Sequence, residues 1–333
     1  MKKTIMLSLI VSSLVMGANT ADNLVIDQKN EITTNSTIDN ATVDQGKTEI
    51  LGASDVDNVT VKQGSSNTTG NLIENSDISQ TTENGSKTTV SQGHLKIDSS
   101  TASNLKLESR NTIKDIEITN TLIEQGNFIV EGGSTAKDTL ASGTEELTST
   151  NIIKNIEADG VDIDKSTIHQ SRTQISNGAT TDKLQLLNRN KLENSTMDNS
   201  KVYQSKLKVD ASTATVLEVG LNDDSSEFEN TINGSEIKGE SVIKQSDITI
   251  ENSSTVNTLV SKGTNSIKNF SADKSLISQN EMFIDNSEVT NFKTTQTNTI
   301  EGATVENDTY TTWSNAIDIT NPTTISQGST TIN

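Results

Sequence analysis

The sequence predicts an all-β protein, an elongated β-solenoid (β-helix) in which short strands stack coil upon coil. Three observations predict it: a small motif recurs eight times, apolar residues alternate with polar ones, and Asn, Asp, Gly, Ser and Thr separate the apolar pairs. A fixed period of about 20–50 residues is typical of stacked repeats. Alternation at a period of two residues indicates strands, and helical repeats need longer apolar segments with a period of 3.6 residues.

The recurring motif contains an aliphatic residue, a variable residue, Gln, a small or turn-forming residue, and a second aliphatic residue five positions after the Gln. Val or Ile fills both aliphatic positions at all eight sites, in a chain that is only 30% hydrophobic. The regularity therefore defines a repeat, whose glutamines are Gln45, Gln92, Gln125, Gln170, Gln204, Gln245, Gln279 and Gln327.

The intervals between these glutamines alternate between long and short, beginning and ending with a long one. The short repeats have about 34 residues and the long ones about 41–48 residues, which is within the range of stacked repeats. We expect the long units to carry their extra residues in one loop. A short unit is either one coil of about four strands or two coils of about 17 residues. Gln28 precedes Gln45 by about half of a short unit and favours the shorter coil.

A recurring glutamine has a physical explanation in a stack of coils. Equivalent residues of successive coils lie about 4.8 Å apart, and inward-facing amides at that spacing form a hydrogen-bonded ladder. Asn111, Asn190 and Asn265 recur at matching places in the short units and predict a second ladder. In the alternative interpretation, the glutamines lie at a corner of the coil and face water.

The chain divides into three parts. Residues 1–20 have the basic start, the short apolar core and the small residues of a signal peptide, which is removed on export. Residues 22–44 form an imperfect N-terminal repeat, and residues 45–333 form the β-solenoid domain. The last motif is completed at Ile332, which predicts an open C-terminal end. Exposed strand edges of that kind invite another chain to add to them.

Composition limits the classes of partner. The formal net charge of −19 argues against nucleic acid and against anionic membrane surfaces, since both need basic patches. The chain has no Cys, and no segment after the signal peptide is apolar enough to span a membrane. Low hydrophobicity with high charge is also typical of disordered chains, but the regular aliphatic spacing favours a folded one. We expect an extracellular protein, or one on the surface of a bacterium.

No residue stands out as catalytic. His94 and His169 are the only histidines, each lies within two residues of a motif Gln, and we interpret both as solvent-facing. The acidic run 222–227 is the best candidate for binding Ca²⁺, but it lacks the known calcium-loop patterns and is better explained as a solvated loop. The sequence therefore predicts no cofactor, no metal site and no enzyme activity.

The aliphatic-x-Gln-Gly/Ser core of each unit resembles the repeats of bacterial functional amyloids such as curli subunits. The resemblance covers Gln45 to Gln327 as a style of repeat. It implies a fibre-forming matrix protein and assigns no role to any residue. We therefore expect a surface adhesin, fibre subunit or biofilm matrix component that associates with itself or with a surface or secretion partner. The alternatives are a monomeric solenoid that binds polysaccharide or Ca²⁺, and an enzyme acting on polysaccharide.

Overall fold

The computed structural model describes the backbone of 41 strands with adjoining turns, and a smaller set of side chains. The described side chains are those of residues 42–55, 57, 88–103, 118–119, 121–136, 166–184, 190–217, 230–261, 263–291 and 298. The described residues are all-β, with no helix among them, and every pairing of strands in them is parallel. Accordingly, this part of the chain has no helix of the length and apolarity that a membrane span requires.

The strands form three sheets, the arrangement expected of a β-solenoid. Sheet A contains β1 (Lys3–Ile5), β6 (Ser36–Asp39), β11 (Ser76–Ser79), β15 (Glu117–Thr119), β21 (Asp162–Asp164), β26 (Thr196–Asp198), β30 (Glu236–Lys238), β34 (Ser271–Asp273) and β38 (Thr304–Glu306). Sheet B contains β2 (Leu9–Gly17), β7 (Thr42–Leu51), β12 (Thr89–Asp98), β16 (Leu122–Gln125), β17 (Phe128–Glu131), β22 (Thr167–Ser176), β27 (Lys201–Asp210), β31 (Val242–Gln245), β32 (Ile248–Glu251), β35 (Leu276–Gln279), β36 (Met282–Ile284), β39 (Tyr310–Thr312) and β40 (Asn315–Ile317).

Sheet C is the third and largest. It contains β3 (Thr20–Asp22), β4 (Val25–Gln28), β5 (Glu31–Ile32), β8 (Asp55–Asp57), β9 (Thr60–Gln63), β10 (Asn71–Glu74), β13 (Thr101–Ser103), β14 (Lys106–Lys114), β18 (Thr135–Lys137), β19 (Leu140–Ala141), β20 (Ser149–Lys154), β23 (Thr180–Asp182), β24 (Leu184–Leu186), β25 (Asn188–Glu193), β28 (Thr213–Val219), β29 (Phe228–Asn233), β33 (Thr255–Lys268), β37 (Glu288–Glu301) and β41 (Thr330–Ile332).

Consecutive motif strands pair directly in sheet B. Gln45 pairs with Gln92, which pairs in turn with Gln125, so a whole Gln-to-Gln interval separates neighbouring strands. The alternative of two coils in each short unit is wrong for these strands. Gln28 pairs with Gln63 in sheet C and does not lie beside Gln45 in sheet B.

The eighth motif does not supply the strand that follows Gln279 in sheet B. That strand is β39, in which Tyr310 pairs with Leu276 after one short interval. Ile332, which the sequence aligned with the aliphatic residues of sheet B, instead pairs with Ile300 in sheet C. Gln327 itself lies outside the described residues.

The extra residues of the long units interrupt sheet C. In the third long unit, Val219 pairs with Ser261 and Phe228 with Gly263, so the long unit has eight residues between these two pairs where the facing strand has Lys262 alone. The expectation of one extra loop fits this unit. It is wrong for the first two long units, because they also have longer connections next to sheet A than the short units have.

Each motif strand bends at the residue after its Gln. This residue has a positive φ at all seven described positions: Gly46 (66°), Gly93 (67°), Gly126 (64°), Ser171 (59°), Ser205 (57°), Ser246 (60°) and Asn280 (61°). Glycine adopts such a φ without steric cost, whereas other L-residues are strained there. The left-handed turn explains why small residues follow the Gln, and it lets both motif aliphatics face inward.

The core consists of two apolar clusters. One contains the aliphatics that follow the bend, such as Ile97 and Val209, together with the sheet C residues that come first along the chain in each coil. The other contains the aliphatics that precede the bend, such as Val90 and Val202, together with sheet A residues and the sheet C residues that come last along the chain in each coil. Buried glutamines and asparagines lie at the positions between these two sets along the strands.

The segment predicted to be a signal peptide contributes strand β2. Its backbone pairs with β7, with Val11 as the Cα partner of Gln45. The pairing does not test whether the segment is removed on export, and the assignment remains a prediction.

Candidate functional site

Seven of the predicted ladder glutamines form a continuous column of amide hydrogen bonds. Each glutamine donates from Nε2 to Oε1 of the preceding one, over 2.7–3.2 Å, along Gln45, Gln92, Gln125, Gln170, Gln204, Gln245 and Gln279. All seven side chains are at most 1% exposed. Burial excludes the arrangement in which these glutamines face water, and it makes each hydrogen bond costly to lose.

The column has a direction, and its two ends differ. Since every Nε2 points toward the preceding coil, the Gln45 amide ends the described column with a buried donor and the Gln279 amide ends it with a buried acceptor. Neither Gln45 Nε2 nor Gln279 Oε1 has a hydrogen-bond partner among the described residues. A unit of the same polarity stacked before Gln45 would complete the missing bond there, whereas on the Gln279 side β39 is already the next strand of sheet B.

A second column of amides runs along sheet C. Asn190 donates from Nδ2 to Oδ1 of Asn230 (2.7 Å), Asn230 to Asn265 (2.8 Å), and Asn265 to Asn298 (3.0 Å). The sequence singled out Asn190 and Asn265 but missed Asn230 and Asn298. Asn111 pairs by its backbone with Asn71 and Asn151, and its side chain lies outside the described set.

The missed asparagines had a sequence signal. Asn230 stands further beyond Gln204 than Asn190 does beyond Gln170, whereas Asn298 follows Gln279 at the short-unit distance but within a long interval. Alignment of the short units alone did not include the longer spacing. The shift arises because the long-unit insertion falls within sheet C, ahead of the asparagine.

The bend residues connect the two amide columns. Ser205 Oγ donates to Asn230 Oδ1 at 2.9 Å and accepts from Asn190 Nδ2 at 2.7 Å, and Ser246 bonds Asn265 and Asn230 in the same way. A hydroxyl at the bend therefore offsets the strain of a non-glycine residue with positive φ. The buried glutamines, asparagines and bend residues thus form a hydrogen-bonded polar layer between the two apolar clusters.

Buried serines form further columns at the corners between sheets. At one corner the backbone N–H of Ser54 donates to Ser100 Oγ, that of Ser100 to Ser134 Oγ, and that of Ser212 to Ser254 Oγ, over 3.2–3.3 Å. Ala179 occupies the same corner and interrupts this column, since it has no hydroxyl to offer Ser134. The sequence interpretation missed these columns because serine is frequent throughout the chain.

The outer face of sheet B changes charge along the stack. On β7 and β12, the outward side chains contain three carboxylates and two lysines, and β16 and β17 add two more carboxylates. On β22 and β27, by contrast, there are four cations and one carboxylate. We call the outward side chains of these two strands the basic band: Thr167, His169, Arg172, Gln174, Lys201, Tyr203, Lys206, Lys208 and Asp210.

Most cations of the basic band have acidic neighbours, at unequal distances. Lys208 lies 2.9 Å from Asp210 and 2.8 Å from Glu251, and these hydrogen bonds raise the pKa of Lys208. Arg172 is 3.5 Å from Glu124, and Lys206 is 3.7 Å from Asp247. Burial raises the pKa of the Asp247 carboxyl, although the two nearby lysines oppose that shift.

Both histidines lie on this outer face, half-buried. The ring of His169 stacks on that of Tyr203, with centroids 4.9 Å apart, and Lys206 Nζ lies 5.1 Å from the centre of the Tyr203 ring. Burial, and to a smaller extent the nearby Lys47, lowers the pKa of His94 to about 4. His94 is therefore neutral at physiological pH.

Among the described residues, no group of three or more His, Cys, Asp or Glu side chains is arranged to hold a metal ion. The acidic run 222–227 lies outside them. Neither a protein-family model nor a curated protein sequence matches the chain.

Proposed function

We propose that this protein is an exported structural or interaction protein: a surface adhesin, fibre subunit or biofilm matrix component built as an elongated β-solenoid. In this proposal, each Gln-to-Gln interval forms one coil, which has about 34 residues in the short units and about 41–48 residues in the long ones. The observation that carries it is the column of buried glutamines, in which the same side chain makes the same hydrogen bond to the next coil six times. Such a stack suits a rod, since each unit contacts only its neighbours.

The polarity of the column supports self-association. Gln45 leaves a buried donor without a partner, so a coil stacked on it in the same direction would satisfy an amide that is otherwise unbonded. Strand β2 covers the Gln45 side, and its Val11 has no side-chain acceptor. Removal of residues 1–20 as a signal peptide would uncover the edge of β7 for another strand.

The test is electron microscopy of purified residues 22–333 at neutral pH, beside a Gln45→Lys variant and a matched Gln174→Lys variant. A lysine in the column places a charge where another coil would stack, whereas the same substitution at Gln174 lies on the outer face. We expect uniform fibres from the parent chain and from the Gln174→Lys variant, and few or none from the Gln45→Lys variant.

Short isolated rods from all three proteins would refute the self-assembly proposal. They would favour a second candidate, a monomeric solenoid module that binds polysaccharide. The observation that favours this second function is the basic band, because it concentrates four cations in a chain whose net charge is −19.

A further inference from the structure

We infer that the basic band is a binding site for a linear acidic polysaccharide that bears carboxylate groups. The inference deepens the proposed function and rests on it, since it names what an exported rod of this kind would hold. The site is on the outer face of β22 and β27 and needs no movement of the core.

Three cations of the basic band lie in a row along one strand. Lys201, Lys206 and Lys208 follow one another along β27, and Arg172 is the neighbour of Lys206 across the sheet. At about 3.3 Å per residue, the three lysines extend over as much as ~23 Å of the strand. An extended polymer lying along β27 would therefore meet several positive charges in succession.

Much of this positive charge remains accessible to a ligand. Lys201 is exposed and has no ion pair with any described residue. The acidic partners of Arg172 and Lys206 are distant, at 3.5 Å for Glu124 and 3.7 Å for Asp247, while Arg172 also donates to the neutral Gln174 Oε1 at 2.6 Å. Partly exposed pairs of this kind contribute little stability, so an incoming carboxylate can compete for both cations.

The aromatic ring of the basic band is poorly placed to bind a neutral sugar. Neutral sugars commonly bind through their apolar faces on open aromatic rings, but one face of the Tyr203 ring is covered by His169 and Lys206 lies close to its centre. We therefore expect the basic band to recognise a ligand by its negative charge. Duplex nucleic acid is disfavoured because its closely spaced phosphates are repelled by the net negative charge of the protein. A polysaccharide with widely spaced carboxylates needs only the few cations of the basic band.

The test uses sodium polygalacturonate as the probe and purified residues 22–333 as the protein. Binding is measured by titration calorimetry at low and at high salt. The band variant is Lys201→Gln/Lys206→Gln. Its matched control is Lys238→Gln/Lys274→Gln, which makes the same change of charge at two lysines away from sheet B.

We expect the band variant to weaken binding by about tenfold or more, and the control to change it by less than about threefold. Added salt should weaken binding by the parent protein, as expected for exposed charges. Equal binding by the two variants would overturn the inference. Tighter binding of duplex DNA than of polygalacturonate at the same salt would overturn the assignment of the ligand.

The same preparations separate this inference from the proposed function. Fibres that form without any binding of polygalacturonate would refute the basic band as a glycan site and leave the assembly proposal intact. Conversely, polygalacturonate bound by a strictly monomeric protein would support the site and refute assembly. Neither fibres nor binding would refute both proposals.

Discussion

Replacing Gln204 with leucine tests whether the glutamine column holds the coils together. The side chain of Gln204 is completely buried. Its Nε2 donates to Gln170 Oε1 at 2.9 Å and, more weakly, to Thr231 O at 3.4 Å, and its Oε1 accepts from Gln245 Nε2 at 2.8 Å. Leucine is similar in volume but makes none of these bonds, so the substitution removes polar contacts without leaving a large cavity.

The expected loss in the free energy of unfolding depends on which hydrogen bonds the neighbouring glutamines keep. Gln170 Oε1 loses its donor from the next coil and is left buried, which costs about 1–3 kcal/mol. Gln245 Nε2 loses one acceptor but keeps a 3.2 Å bond to Asn230 O, so about 0.5–1.5 kcal/mol is lost there. Because leucine contributes apolar contacts in return, we expect a net loss of about 2–3 kcal/mol in the free energy of unfolding.

The assay is urea denaturation followed by circular dichroism, together with hydrogen exchange of the β22, β27 and β31 amides. Hydrogen exchange is needed because long repeat arrays need not unfold in one step. The control is Gln174→Leu, the same substitution on the outer face, for which we expect a change of no more than about 1 kcal/mol. Equal stability and equal exchange rates in the two variants would refute a stabilising role for the column.

Three further predictions concern other parts of the polar framework. Ala179→Ser should complete the interrupted serine column by offering Oγ to the Ser134 N–H, and should raise the free energy of unfolding by about 0.5 kcal/mol in urea titrations, because that N–H already donates to Glu131 O at 3.2 Å. Asn230→Leu removes a side chain with four hydrogen bonds to its neighbours and should lower the urea midpoint, with a loss of about 3–5 kcal/mol. His94→Asn should reduce the acid sensitivity of the melting temperature. The folded pKa of His94, about 4, lies below its unfolded value of 6.5, so the parent chain loses about 1–3 kcal/mol as the pH falls through that interval.

Each of these predictions has a comparison that could contradict it. Ala102→Ser places a hydroxyl among apolar side chains with no serine column beside it and should destabilise, so a gain there equal to that of Ala179→Ser would count against the column. Asn291→Leu, at an exposed position on β37, should have little effect beside Asn230→Leu. Identical melting curves of the parent and the His94→Asn protein between pH 7 and 4.5 would show that His94 does not couple to folding.

The sequence predicted the strands and the direction of the ladder side chains because both follow from local patterns. Inward and outward positions alternate along a strand, so Val or Ile on both sides of each Gln, as at Val202 and Val209, marks the buried face. The small residue after the Gln follows from a bend with positive φ. Such preferences belong to a few residues in sequence and do not require knowledge of the neighbours.

The partners across the stack were harder to predict. Asn230 was missed because the insertion before it changes its distance from Gln204, and only the pairing of β29 with β33 places it beside Asn265. Gln327 has the local motif, but pairing puts β39 next to β35 at the place where the column continues. Local pattern alone does not distinguish a repeated motif from a repeated position in the stack.

By itself, the sequence determined that the chain forms short parallel strands with a recurrent buried glutamine, since periodicity and turn residues act over a few positions. The tertiary structure alone decided which coils are neighbours, how the bend serines join the glutamine and asparagine columns, and where the basic band lies. Those features depend on residues far apart in sequence, such as Arg172 and Lys206, which the register of pairing brings to adjacent strands. Net charge averages over the whole chain, whereas an outer face is set by the few residues that the register places side by side.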